Sequence, residues 1–139
     1  MSANESIIQT VKENVCILTI NRAKVYNALD RQSKLDLIKA LRKANKNPEI
    51  KAIILTGEGK AFCSGQDLGD RTVSGGESSV DLGHTLETEW LPLMQSIRRS
   101  EKIVIGAING VCAGAGLSLA LACDLLISRP SVKFVSGFT

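Results

Sequence analysis

The most constraining feature of this chain is a run of 21 residues, 103–123, that carries no charge and is bounded by Lys102 and Asp124. Its length matches a membrane-spanning helix, and Gly106, Gly110 and Gly114 recur every four residues, as on a helix-pairing face. Its internal order argues against a span. Ile103, Val104 and Ile105 read as a strand, and Asn109-Gly110 is turn chemistry. Residues 117–123 then form a Leu/Ala helix that stops at Asp124. A buried α/β core imitates a membrane segment in this way. The expectation is strand, turn and helix inside one packed domain, without a membrane partner.

The flanking sequence repeats that alternation. Residues 15–20 (VCILTI) are β-branched and apolar, a strand. Asn27 or Asp30 can cap the helix that follows, with Leu35, Leu37, Ile38 and Leu41 on its inner face and Lys34, Lys39, Arg42 and Lys43 on its outer face. Asn47-Pro48 ends it. Residues 52–55 (AIIL) form a second buried strand, turned by residues 56–59. Residues 69–83 are polar and rich in Gly and Ser, without periodicity, and read as a mobile loop. Residues 86–99 are amphipathic, with Leu86, Trp90, Leu93, Met94 and Ile97 inward. Strands are expected at 103–108, 125–127 and 133–135. The fold class is therefore α/β, with a sheet covered on both faces. At 139 residues, with no repeat or linker, the chain suits one domain.

Charge and cysteine usage narrow the function. Seventeen Lys and Arg against fourteen Asp and Glu give +3, and the basic residues are scattered, which argues against a nucleic-acid partner. Cys16, Cys63, Cys112 and Cys123 each sit in an apolar run, without a CxxC pair. His84 is the single histidine, so no His/Cys zinc site is available and no metal is expected. Reduced thiols in the cytoplasm are the expectation, since residues 1–11 lack the apolar core of a signal peptide.

Two glycine turns follow buried strands. Gly114-Ala115-Gly116 lies where a turn becomes a helix. Small residues there either pack helix against sheet or leave backbone N–H groups bare for an anion or developing oxyanion. The run is neither GxGxxG nor a Walker loop, so a dinucleotide or nucleotide reading is weak. Ser64-Gly65-Gln66-Asp67 is either a surface turn, with Asp67 bonding its own backbone, or a second such site. Cys63 reads as a buried structural thiol rather than a nucleophile, since its candidate base, His84, belongs to or borders the polar loop.

Taken in order, INRAKVYNAL, AIILTGEGKAFCSGQDL, KIVIGAINGVCAGAGLSLALACDLLIS and KFV resemble the crotonase, or enoyl-CoA hydratase/isomerase, superfamily. The match runs from Val15 to about Phe138, and the ordered set is specific although each motif alone is modest. The resemblance implies a ββα spiral core, with residues 1–139 as its N-terminal portion and the C-terminal half outside this sequence. It is closest to the ring-1,2-epoxyphenylacetyl-CoA isomerase branch.

In that family an acyl-CoA thioester oxygen accepts two backbone N–H bonds, from positions that correspond to Gln66 and Ala115. Alanine at 115 replaces the usual glycine but keeps the N–H. Coenzyme A, as part of the substrate and with no separate cofactor, would lie along Lys24, Val25, Tyr26, Ser64, Gly65, Gln66, Asp67, Leu68 and Gly114. The hydratases' first acid falls at Ser118, which removes one of the two carboxylates that water addition needs and favours isomerase chemistry. The second acid is expected at or beyond the end of the chain. Asp67 and Asp124, which belong to structural motifs, and Asp70 are poor substitutes. The resemblance also implies a homo-trimer or hexamer when complete. The alternative is a non-catalytic acyl-CoA-binding or oligomerisation fragment of the same fold.

Overall fold

The structure, a computed structural model, describes residues 5–67 and 82–136. The chain opens with a hairpin of β1 (Ile7–Lys12) and β2 (Val15–Ile20). Glu13 and Asn14 join them with φ of 50° and 69°, the double left-handed turn whose twist matches a two-residue hairpin. Helix α1 (Arg31–Lys46) begins at Asp30, not Asn27. The Asp30 carboxylate accepts from the Ser33 N–H, and the Ser33 hydroxyl accepts from the Asp30 N–H, a capping box. Next come β3 (Ala52–Gly57), β4 (Ala61–Cys63), a short helix α2 (Leu82–Thr85), a π-type turn (Leu86–Trp90) and α3 (Leu91–Arg98). Then follow β5 (Ile103–Ile108), β6 (Val111–Ala113), α4 (Ala115–Ala122), β7 (Leu125–Ser128) and β8 (Phe134–Val135).

The strands form two sheets. The larger has the order β1-β2-β3-β5-β7, antiparallel only between β1 and β2, and the smaller has the order β4-β6-β8, all parallel. From β3 onward each pair of consecutive strands sends its first member to the large sheet and its second to the small one. Helices connect the pairs, so the expected ββα repeat is present. Residues 103–123 are split among β5, β6 and α4, and among the described residues no helix is long and apolar enough to cross a membrane.

Registers Cys16↔Ile53↔Val104 and Leu18↔Leu55↔Gly106 bring the inner faces of three parallel strands together, and α1 and α3 join the same core. The opposite face, with Val15, Ile17, Ile54 and Ile105, is only partly covered and Ile103 is exposed, so the sheet is not sealed on both faces as expected.

Helix α1 also corrects the sequence reading. Leu35 is 48% exposed, whereas Lys34 is 1% exposed and aligned with Leu37, Leu41 and Ala44. These fall at i, i+3, i+7 and i+10, one face of a 3.6-residue helix. A lysine joins an apolar face only with a partner inside, and Lys34 has three. Helix α4 starts two residues earlier than expected, because Gly114 turns the chain at φ 56°. The loop expected at 69–83 lies outside the described residues except for Leu82 and Gly83, which belong to α2. Trp90, Leu93 and Ile97 are buried as expected and Met94 packs against the core; the Leu86 side chain lies outside the described residues.

Candidate active site

The two glycine turns meet. Gly65 has φ 110°, a conformation that L side chains rarely adopt, and a Cβ there would lie 3.3 Å from the Ala113 carbonyl oxygen and 3.4 Å from the Ala115 nitrogen. At Gly116 a Cβ would come within 2.1 Å of the Cys63 carbonyl oxygen. Only glycine lets the end of β4 rest on the first turn of α4. The Gln66 peptide, one bond beyond Gly65, therefore lies beside the Ala115 N–H.

The Gln66 strand segment is fixed from the other side. Leu29 donates its N–H to Gly65 O at 2.8 Å and accepts from the Asp67 N–H at 3.0 Å, forming a single parallel bridge between Leu29 and Gln66. In such a bridge the middle residue's own N–H points away from the partner strand. Among the described residues neither the Gln66 N–H nor the Ala115 N–H has a backbone acceptor. Ala115 is the first residue of α4, where the helix's free N–H groups carry partial positive charge. Two outward N–H groups on adjoining turns can hold a carbonyl oxygen and stabilise charge that develops on it.

The Gln66 side chain runs inward. Its Oε1 accepts from Lys34 Nζ at 2.5 Å and from the Trp90 indole N–H at 2.8 Å. Lys34 Nζ also pairs with Glu89 Oε1 at 2.7 Å and lies 4.7 Å from the centre of the Trp90 ring. Glu89 and Trp90 come from the π-type turn that precedes Pro92, whose missing N–H interrupts regular helical bonding. Lys34, Glu89 and Trp90 were not legible as site residues. The available signal was that Lys34 stands three residues before Leu37 and seven before Leu41.

Arg22 braces the same loop. Its guanidinium donates to Ala28 O and to Asp67 Oδ2 at 3.0 Å, and lies 3.3 Å from Asp30 Oδ2. Asp67 thus turns its carboxylate to Arg22 rather than only to its own backbone, as a surface turn predicts. Burial pushes the Asp30 carboxyl up, but the Ser33 N–H and hydroxyl together with Arg22 hold it below the usual carboxylate range.

Asn27 is fully buried with φ 59°; its amide accepts from the Arg22 N–H at 2.8 Å and donates to Glu58 O and Ala61 O at 2.9 and 2.7 Å. Asn109, just after β5, supports the same stretch, accepting from the Gly57 N–H and donating to Gly59 O and Ala61 O. Both amides replace hydrogen bonds that the irregular segment between β3 and β4 cannot make for itself.

Lys24 and Val25 lie in an exposed 3-10 turn, and the exposed Tyr26 follows with φ 53°. The Ser64 N–H donates to Tyr26 O at 3.1 Å and its hydroxyl to Val25 O at 3.3 Å, so these residues adjoin Ser64 and Gly65. Leu68 lies outside the described residues, as does Asp70. Gly114 donates its N–H to Val135 O at 2.9 Å. Ser118 is exposed on α4, three residues after Ala115 and so on the same side of the helix. Asp124 accepts from the Val104 N–H at 2.8 Å and returns its own N–H to Val104 O, which ties it to β5.

Cys63 is fully buried, and burial pushes its thiol up to about 12, against smaller opposing effects of the Gly65 backbone and Lys34. Such a thiol is a core group, not a nucleophile. His84 is exposed on α2.

The whole arrangement has counterparts. The family described as Enoyl-CoA hydratase/isomerase matches residues 10–139. The chain is 38% identical to the 1,2-epoxyphenylacetyl-CoA isomerase of Escherichia coli K12, over 97% of this chain and 52% of that protein. It is 42% identical to a probable enoyl-CoA hydratase of Rhodobacter capsulatus, over 93% of this chain and 48% of that protein. Its structure resembles an enoyl-CoA hydratase from Polaromonas sp. JS666 with a TM-score of 0.85 at 36% identity, covering 95% of this chain and 51% of that one. The chain thus spans about half the length of the relatives it matches. With the ββα repeat and the paired glycine turns, the match over residues 10–139 settles the family: this chain belongs to the enoyl-CoA hydratase/isomerase, or crotonase, family.

Proposed function

We propose that this chain supplies the oxyanion hole and part of the coenzyme A site of an acyl-CoA thioester enzyme. The observation that carries the reading is the pair of outward N–H groups, Gln66 and Ala115, brought together where Gly65 rests on the start of α4. A thioester oxygen between them would gain two donors as it becomes an enolate oxygen. Each such donor is typically worth about 3 kcal/mol in the transition state. The adenosine and pantetheine portions would follow Lys24, Val25, Tyr26 and Ser64, with Lys24 meeting a phosphate as a point charge.

Among reactions of the family, the reading favours isomerisation over hydration. Adding water calls for two positioned acid–base groups, and the position on the oxyanion face where one is expected holds the Ser118 hydroxyl. Coenzyme A enters as part of the substrate, and the complete assembly would be a trimer or hexamer of identical chains. The same Ser118 supports a second reading, a non-catalytic acyl-CoA binder.

The test is infrared spectroscopy of butanoyl-CoA carrying 13C at the thioester carbon, mixed with the chain. A shift of the carbonyl stretch to lower frequency is expected on binding. No binding at millimolar thioester, or binding without a shift, would end the oxyanion-hole reading. Exchange of the α-protons with deuterated water separates the two readings, because exchange needs a base.

A further inference from the structure

The fully used Lys34 cluster has a meaning beyond packing. The Gln66 side chain faces inward while its N–H faces outward, so whatever holds the side chain also sets the N–H. Two elements converge on one atom, Gln66 Oε1: α1 through Lys34 Nζ at 2.5 Å, and the π-type turn through the Trp90 indole at 2.8 Å, while Glu89 of the same turn orients the lysine at 2.7 Å. Lys34 and Trp90 are among the most buried polar and aromatic side chains of the chain. Gln66 Nε2 then bonds its neighbour's carbonyl, Asp67 O, at 3.3 Å, which ties side chain and main chain of the loop together. Leu29 holds the peptides on either side.

We propose that Lys34, Glu89 and Trp90 are positioning residues for the Gln66 N–H, a clamp that fixes the direction of one oxyanion donor from behind. The proposal rests on the oxyanion-hole reading and adds to it the residues that determine how well the hole is formed. A donor off line by a fraction of its bond length loses much of its effect on developing charge, which is why rigid support behind such a site matters.

The test uses the 139-residue chain and two variants. Trp90→Phe keeps a ring and removes the indole donor, and Lys34→Met keeps the length and removes the ammonium. Amide hydrogen exchange is read at Leu29 and Asp67, whose hydrogen bonds flank Gln66, and at Glu58, whose N–H bonds Ile20 O in a turn outside the clamp. Loss of one buried hydrogen bond should speed exchange at Leu29 and Asp67 about tenfold relative to Glu58. The carbonyl shift of bound 13C-butanoyl-CoA should shrink while its dissociation constant stays near that of the unmodified chain. Equal acceleration at all three amides, or an unchanged carbonyl shift in Trp90→Phe, would overturn the clamp as a positioning device. If the unmodified chain shows no carbonyl shift, the oxyanion reading fails and takes the catalytic meaning of the clamp with it. The exchange ratio still reports separately whether the clamp holds the loop.

Discussion

The loop around Gln66 and the far end of the chain solve the same problem in opposite ways. Around Gln66, polar groups are buried and each is used: Lys34 has three partners, Asn27 three and Gln66 Oε1 two donors. At the other end, apolar groups face outward: Leu125 is 53% exposed, Ile127 63%, and Phe134 and Val135 are exposed beside them. A buried polar cluster is tolerable only when it is fully satisfied, and then it specifies one conformation closely. An exposed apolar strand edge specifies little by itself and offers a surface for association. The site loop is thus finished by contacts within this chain, whereas the β7–β8 end is not.

The largest effect should come from opening the polar cluster. Lys34→Met leaves Glu89 without its cation and Gln66 with one donor. Removing one partner of a buried ion pair costs about 3–5 kcal/mol, and the partial exposure of Glu89 places this case near 3. Urea unfolding followed by circular dichroism measures it, and a loss under about 1 kcal/mol would mean that the cluster is solvated. Asn27→Ala is next. It strands the Arg22 N–H and Glu58 O and puts alanine at φ 59°, for about 2–3 kcal/mol in the same assay. A variant as stable as the parent would show that the segment between β3 and β4 rearranges freely.

The same contrast explains what could be read from the sequence. Strands β2, β3 and β5 announced themselves because central parallel strands are continuous apolar runs. Strand β1 did not, because an edge strand carrying Gln9, Thr10 and Lys12 loses the pattern, and the Glu13-Asn14 turn lacks the glycine that marks a hairpin. Strands β4 and β6, three residues each, are too short to show a period. The meeting of Gly65 with α4 was legible only through the order of the motifs, since the lack of room for a Cβ at Gly116, which would come within 2.1 Å of the Cys63 carbonyl oxygen, leaves no local trace. The clamp was hidden for a different reason. Charge at position 34 predicts an outer face, and its partners Gln66 and Glu89 stand 32 and 55 residues away.

A smaller effect tests the cap that joins the two levels of the site loop. Asp30 caps α1 and also faces Arg22, the brace of Asp67. Asp30→Ala should cost about 1 kcal/mol near neutral pH. Because the folded carboxyl titrates below its ordinary value of 3.8, its contribution is present above that value and fades as pH falls through the lower, folded one. The stabilities of parent and variant should therefore converge as pH is lowered from 6 toward 3. A difference that stays constant over that range would mean that the charge contributes nothing and that only the capping geometry counts.

The smallest effect is expected at the exposed end, and there the sign of the second readout matters more than the size of the first. Ile127 lies on β7, an edge of the large sheet, with its side chain largely in solvent. Ile127→Thr keeps the β-branched shape and adds a hydroxyl, so it should change unfolding stability by less than about 0.5 kcal/mol. Apolar area that contributes nothing to folding can still drive association, at roughly 25 cal/mol per Å² removed from water. Light scattering should accordingly show less self-association for Ile127→Thr than for the parent at equal concentration. A variant that unfolds more easily while associating as before would place Ile127 inside the fold and erase the distinction between the two ends. A variant of equal stability that associates less would make that end an interface rather than a defect of the core.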